Sequence, residues 1–129
     1  MTAAALLTRL RAEGYRLKLR EDGAGLRIEP RPAETVLAEL RPHRDALAAE
    51  LRTEAEVENL LAELVADRIE LERAGALPAP LLRATALRGL VEGRRRAAGL
   101  DVAADLVRRL YAASVAGNAE ALANIEGGR

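Results

Sequence analysis

Cysteine, phenylalanine, tryptophan and glutamine are all missing from this chain of 129 residues, and Lys18 is its only lysine. Without cysteine there is no disulfide and no thiolate metal site, and a single histidine, His43, leaves a transition-metal centre without a donor set. With two tyrosines as the only aromatics, the core has to be built from Leu, Ala and Val, which pack closely but bury modest area per residue. Charge of one sign is missing too. Twenty Lys and Arg balance twenty Asp and Glu, so no overall field draws the chain to nucleic acid or to a membrane. No apolar run nears the roughly 20 residues of a membrane helix. The opening MTAAALLTRLRAEG lacks a basic stretch ahead of an apolar core and is broken by Arg9 and Arg11, so no signal peptide is expected. Ser114 has no base near it in sequence, and Gly89 and Gly93 follow no strand, so neither a nucleophile nor a phosphate loop is read. The expectation is a cytoplasmic bacterial protein that is not an enzyme, takes no cofactor or metal and has no catalytic residues.

What is present is a change of period. TAAALLTRLRAEG carries Leu6, Leu7 and Leu10 at helical spacing, with Thr2 placed as N-cap and Gly14 just past the end. In YRLKLREDGAGLRIEP, Tyr15, Leu17 and Leu19 alternate with Arg16, Lys18 and Arg20, and Leu26 and Ile28 alternate with Arg27 and Glu29. Residues 21–25, Glu-Asp-Gly-Ala-Gly, make the turn, in which the two glycines can supply positive φ, and Pro30 and Pro32 stop the second strand. The alternation sends the aliphatic set onto the helices and puts Arg16, Lys18, Arg20 and Arg27 on one outer face. A two-stranded ribbon has two open edges, and open edges recruit peptides.

The run AETVLAELRPHRDALAAEL contains Pro42, which is costly inside a helix but tolerated in a first turn. It is therefore read as a short helix over about 33–40 and a second starting near Pro42, with Leu37, Leu40, Leu47 and Leu51 as core. Thr53 and Glu56 fit a capping box that opens a new helix over about 54–74, with Val57, Leu60, Leu61, Leu64, Val65 and Leu71 as its stripe and Gly75 as its end. Seven acids lie between Glu54 and Glu72, countered by Arg68 alone. Residues 77–80, Leu-Pro-Ala-Pro, read as a linker or turn. A weaker helix interrupted by Gly89 and Gly93 is expected over about 81–98. Asp101 would cap another over about 101–116, whose stripe is Val102, Leu106, Val107, Leu110 and Tyr111, and Asn118 a last one over about 118–126. Residues 127–129 are expected to fray. The fold class is α+β, mostly α: a helix–β-hairpin–helix–helix module over residues 1–52 and an all-helical region over 53–129.

LLTRLRAEGYRLKLREDGAGLRIEP followed by LAELRPHRDALAAELR resembles the TubC-type N-terminal docking domains of nonribosomal peptide and hybrid polyketide assembly lines. The matching residues are Leu6, Leu7, Leu10, Ala12, Gly14, the alternating hairpin, then Leu37, Leu40, Arg41, His43, Arg44, Leu47 and Leu51, within about residues 2–52. The resemblance implies a small helical fold with an exposed hairpin that docks a short charged linear motif from a partner protein. Its members also self-associate as dimers, so a homodimer is part of what it implies. On this reading the partner is a protein with a short acidic motif, held by Arg16, Lys18, Arg20, Arg27, His43 and Arg44.

Two other readings stand beside it. Arg83, Arg88, Arg94, Arg95, Arg96, Arg108 and Arg109 give residues 83–109 seven positive charges against three acids. Arg94, Arg95, Arg96, Arg108 and Arg109 would then contact nucleic acid in a small protein of a phage or mobile element. The plainer account of the same arginines is neutralisation of the acidic stretch at 54–72. The last reading is a purely structural homo-oligomer whose apolar stripes pair with themselves.

Overall fold

The computed structural model of the protein describes residues 2–21 and 25–128. In order along the chain come α1 (Ala3–Ala12), β1 (Arg16–Leu19), β2 (Leu26–Glu29), α2 (Glu34–Leu40), α3 (Arg44–Arg73), α4 (Ala84–Ala98), α5 (Leu100–Val115) and α6 (Ala119–Glu126). A 3-10 turn over Arg41–His43 links α2 to α3. The fold is α+β and mostly α, and the chain divides into two compact units between Thr53 and Glu54.

In the first unit, Thr2 Oγ1 accepts the Ala5 N–H at 3.1 Å and so satisfies one of the free donors at the start of α1. Gly14 ends the helix at φ +95°, and the Tyr15 N–H returns to the Leu10 carbonyl at 3.0 Å, turning the chain straight into β1. β1 and β2 pair antiparallel, with Arg16 opposite Glu29, Leu17 opposite Ile28, Lys18 opposite Arg27 and Leu19 opposite Leu26. Seven leucines, Leu6, Leu7, Leu10, Leu17, Leu40, Leu47 and Leu51, form the buried cluster, and Tyr15, Leu19, Leu26, Ile28 and Val36 pack against it half-buried. Each fully buried leucine contributes about 1.5–3 kcal/mol, so this cluster is what holds an otherwise marginal hairpin to its helices. Arg9 Nη2 adds a 2.7 Å ion pair to Glu39 between α1 and α2.

Several local expectations are corrected. Asp22, Gly23 and Ala24 of the hairpin turn lie outside the described residues. Leu37 is half-buried rather than core. Pro42 sits inside the 3-10 turn rather than at the start of a helix, and α3 then runs unbroken for 30 residues from Arg44. Thr53 is not a cap: its hydroxyl donates to the Ala49 carbonyl at 3.0 Å from inside the helix. A stretch with neither Gly nor Pro gives the helix no reason to stop there.

The second unit is entirely helical among its described residues. Gly75 at φ +65° ends α3, as its spacing suggests. Val57, Leu61 and Leu64 of α3 join Leu87 and Val91 of α4, Leu106, Val107 and Leu110 of α5 and Leu122 of α6 in one buried cluster. Gly89 and Gly93 do not interrupt α4, which begins at Ala84 and continues through both. The break before α5 falls at Gly99 and not at Asp101, because a backbone at φ +97° suits only glycine. Asp101 lies in the first turn of α5, where its charge favours the helix N-terminus. Val102 is exposed, and Tyr111 is half-buried. Asn118 does cap α6, its Oδ1 accepting the Ala121 N–H at 3.0 Å. Beyond it, the Gly127 and Gly128 N–H groups bond back to Ala123 and Ile125, while Arg129 lies outside the described residues.

Candidate functional site

The hairpin sorts its side chains as strict alternation dictates. Leu17 is buried, Leu19, Leu26 and Ile28 are half-buried, and Arg16, Lys18, Arg20 and Arg27 are all exposed. Cross-strand register then concentrates the cations. Lys18 stands directly opposite Arg27, an arrangement that costs free energy through like-charge repulsion and that an anion would relieve. Arg27 is also held by Glu29 two residues on, at 3.1 Å. Arg16, Lys18 and Arg20 enter no ion pair among the described residues.

The ladder also fixes which backbone groups are free. The Arg20 N–H donates to the Gly25 carbonyl at 2.9 Å, so hydrogen-bonded pairs alternate from there to Lys18–Arg27 and Arg16–Glu29. Leu17 and Leu19 on β1, and Leu26 and Ile28 on β2, therefore turn their N–H and C=O groups outward. The sheet has two strands, so each has one edge without a strand neighbour. The β1 edge is flanked by cations alone; the β2 edge carries Arg27 and Glu29.

Compared with known proteins, the chain matches no family model, no curated protein and no solved structure. The site is therefore read from its own chemistry. Among the described residues, no group of three or more His, Cys, Asp or Glu side chains is placed to hold a metal ion, and no helix is long and apolar enough to cross a membrane.

The remaining residues expected at this surface divide. Arg44 is exposed and, with Arg41, rims an apolar groove of about 200 Å³ floored by Leu26, Ile28, Leu37 and Leu40. Arg41 is held by Glu34 at 2.7 Å. His43 is half-buried in the 3-10 turn and does not line the groove. The groove itself is not legible from alternation, because it needs α2 to come alongside β2.

In the second unit the arginines are largely engaged. Arg95 pairs with Glu54, Arg108 with Glu56 and Arg83 with Glu72, the last at 2.9 Å. Arg94, Arg96 and Arg109 are exposed and enter no ion pair among the described residues. Sequence reading missed the buried pair. Arg68 and Glu126 have side chains only 4% and 2% exposed, joined by bidentate hydrogen bonds of 2.9 and 2.6 Å. Arg68 Nη1 also donates to the Leu82 carbonyl at 2.7 Å, and Glu126 Oε1 accepts the Leu82 N–H at 2.8 Å. This network ties α3, the turn before α4 and α6 together with its charges satisfied on both sides. The signal was there: Arg68 continues the spacing of Val57, Leu61 and Leu64, and Glu126 follows Leu122 by one turn. Tyr111 donates to Glu63, and that carboxylate, with burial and the charge of Asp67, raises the phenol above its ordinary pKa.

Proposed function

We propose that the protein is a non-enzymatic docking or adaptor module that captures a short acidic peptide on the basic side of its hairpin, in the manner implied by its resemblance to TubC-type docking domains. One observation carries the reading: Arg16, Lys18 and Arg20 stand exposed and enter no ion pair among the described residues, along a strand whose outer edge has no strand neighbour. An extended peptide laid along β1 would bond to the outward N–H and C=O groups of Leu17 and Leu19. Its carboxylates would lie across from Arg16 and Lys18, and charge-assisted hydrogen bonds of this kind are roughly twice as strong as neutral ones. Arg27 adds to the same face from β2. Arg44 belongs to the neighbouring groove, and His43 has the weakest claim to a part in capture.

The test uses a labelled synthetic peptide that alternates glutamate with valine, and a control in which lysine replaces each glutamate. Fluorescence anisotropy should show binding of the acidic peptide only. The triple variant Arg16→Glu, Lys18→Glu, Arg20→Glu should lose it while keeping its helical circular dichroism. Retained binding by that variant would move the site elsewhere.

A second reading is favoured by Arg94, Arg96 and Arg109, which carry charge not neutralised by the acids of α3: a nucleic-acid contact in the second unit. Gel shifts with duplex DNA at low salt would support it if the band weakens steeply with salt and disappears in Arg94→Ala, Arg95→Ala, Arg96→Ala. No shift at low salt ends it.

A further inference from the structure

Arg68 continues the apolar stripe of α3, where an unpaired guanidinium would be costly, and its partner lies 58 residues further along the chain. Every donor to the Glu126 carboxylate comes from outside α6. Arg68 Nη1 and the Leu82 N–H both reach Oε1, at 2.9 and 2.8 Å, and Arg68 Nη2 reaches Oε2 at 2.6 Å. We infer that Arg68 and the Leu82 N–H form a carboxylate receptor that the chain fills with its own Glu126, and that a small free carboxylate takes the place of that side chain when it is cut back.

Three observations make the receptor independent of the helix that fills it. Arg68 Nη1 also donates to the Leu82 carbonyl at 2.7 Å, so α3 and the turn before α4 hold the guanidinium without help from α6. Leu82 precedes α4, so no helix uses its N–H, and its neighbour Leu81 is buried and donates back to the Pro78 carbonyl at 3.0 Å. The donors are therefore fixed by backbone that stays when Glu126 is removed. α6 itself is a thin cover. It has eight residues, Leu122 is its one buried apolar side chain, and a free helix of that length is marginal in water. Glu126 thus serves the rest of the unit as a tethered ligand. The planar fork of an arginine matches a carboxylate with two parallel bonds, which gives the site a preference for planar carboxylates over a spherical anion such as chloride. The receptor belongs to the helical unit, so its failure and the failure of peptide capture at the hairpin are separate results.

The test empties the receptor in the full chain with Glu126→Ala and titrates the variant with formate and with acetate, against chloride at equal ionic strength. By NMR the Leu82 amide should shift saturably with either carboxylate and not with chloride, and its hydrogen exchange should slow roughly ten-fold or more. The melting temperature of the variant should rise by about 3 °C or more over the chloride control. The unsubstituted protein should show no shift at Leu82, because its tethered carboxylate is present at an effective concentration that free carboxylate does not match. The double variant Arg68→Met, Glu126→Ala keeps the space but lacks the guanidinium, and should lose the response. If Glu126→Ala alone leaves the helical unit unfolded, the same titration is followed by circular dichroism, and formate or acetate should restore the helical signal where chloride does not. A Leu82 amide that neither carboxylate moves, or a helical signal that neither restores, overturns the receptor. So does a response that chloride reproduces or that survives in the double variant.

Discussion

The two units differ in where their arginines meet carboxylates. In the unit of α1, the hairpin and α2, the hairpin cations stand on an exposed face, two of them directly opposite each other, and Glu29, opposite Arg16 in the ladder, is ion-paired with Arg27. In the helical unit, Arg83, Arg95 and Arg108 each lie on an acid of α3, and Arg68 is sealed inside against Glu126. A chain with no net charge therefore has one region in which four arginines rest on carboxylates while Arg94, Arg96 and Arg109 stay exposed, and another where a row of strand cations faces outward. Exposed ion pairs stabilise little, whereas a buried pair is strongly destabilising when one partner is lost. The contrast separates a unit with an ion pair buried in its fold from a unit whose strand cations lie on an exposed face.

The largest effect should come from breaking the buried pair. Arg68→Ala leaves the Glu126 carboxylate and the Leu82 carbonyl without partners, and urea unfolding of the helical unit should shift by about 3–5 kcal/mol. Replacing both residues with leucine should recover most of that loss, since a well-packed apolar pair can substitute for a buried ionic one. An Arg68→Ala protein as stable as the parent would remove the contrast between the units.

Next come the leucine clusters. Leu10→Ala and Leu61→Ala, both made at positions with no more than 1% exposure, should each cost about 2–5 kcal/mol. Hydrogen exchange should localise each loss to its own unit. Uniform loss of protection across both would mean that they unfold as one.

Helix ends give smaller effects. Asn118→Ala and Thr2→Ala each remove a capping acceptor and should cost about 1 kcal/mol, read as a change in denaturation midpoint. Thr53→Ala should stay within about 0.5 kcal/mol, because Thr53 lies inside α3 and caps nothing.

The smallest effect is a titration. Because the Tyr111 phenol is raised in the folded state, its hydrogen bond to Glu63 stabilises fully below the ordinary phenol range. That contribution is lost as pH rises through the raised value. Spectrophotometric titration of a Tyr15→Phe protein, which leaves Tyr111 as its one phenol, should show ionisation above the ordinary range, and adding Glu63→Gln should lower it. A titration that ignores the second substitution would remove Glu63 from the account.

Period and punctuation carried most of the fold. Alternation placed the hairpin and its faces, Thr2, Gly14, Gly75 and Asn118 marked helix ends, and the sequence pattern named most of the buried leucines, though not Leu81, Leu87 or Leu122. The failures share a cause: a local signal was outweighed by its surroundings. Thr53 with Glu56 has the form of a capping box, yet thirty residues of good helix formers run through it. Gly89 and Gly93 weaken a helix locally, but Leu87 and Val91 are buried and keep α4 whole. Of the candidate surface, the cationic face was legible because it follows from period two alone. The opposition of Lys18 and Arg27, the outward phase of Ile28 and the groove beside β2 all depend on register and on helix placement, which no single segment encodes.

Tyr15 and Tyr111 also divide the molecule optically. The first is half-buried against the leucine cluster of one unit, and the second is hydrogen-bonded on α5 of the other. With no tryptophan or phenylalanine in the chain, its near-ultraviolet signal comes from these two rings, one in each unit. Tyr15→Phe leaves a spectrum that follows the helical unit, and Tyr111→Phe one that follows the hairpin unit. The protein thus carries a built-in pair of chromophores with which the melting of each half can be followed without a label.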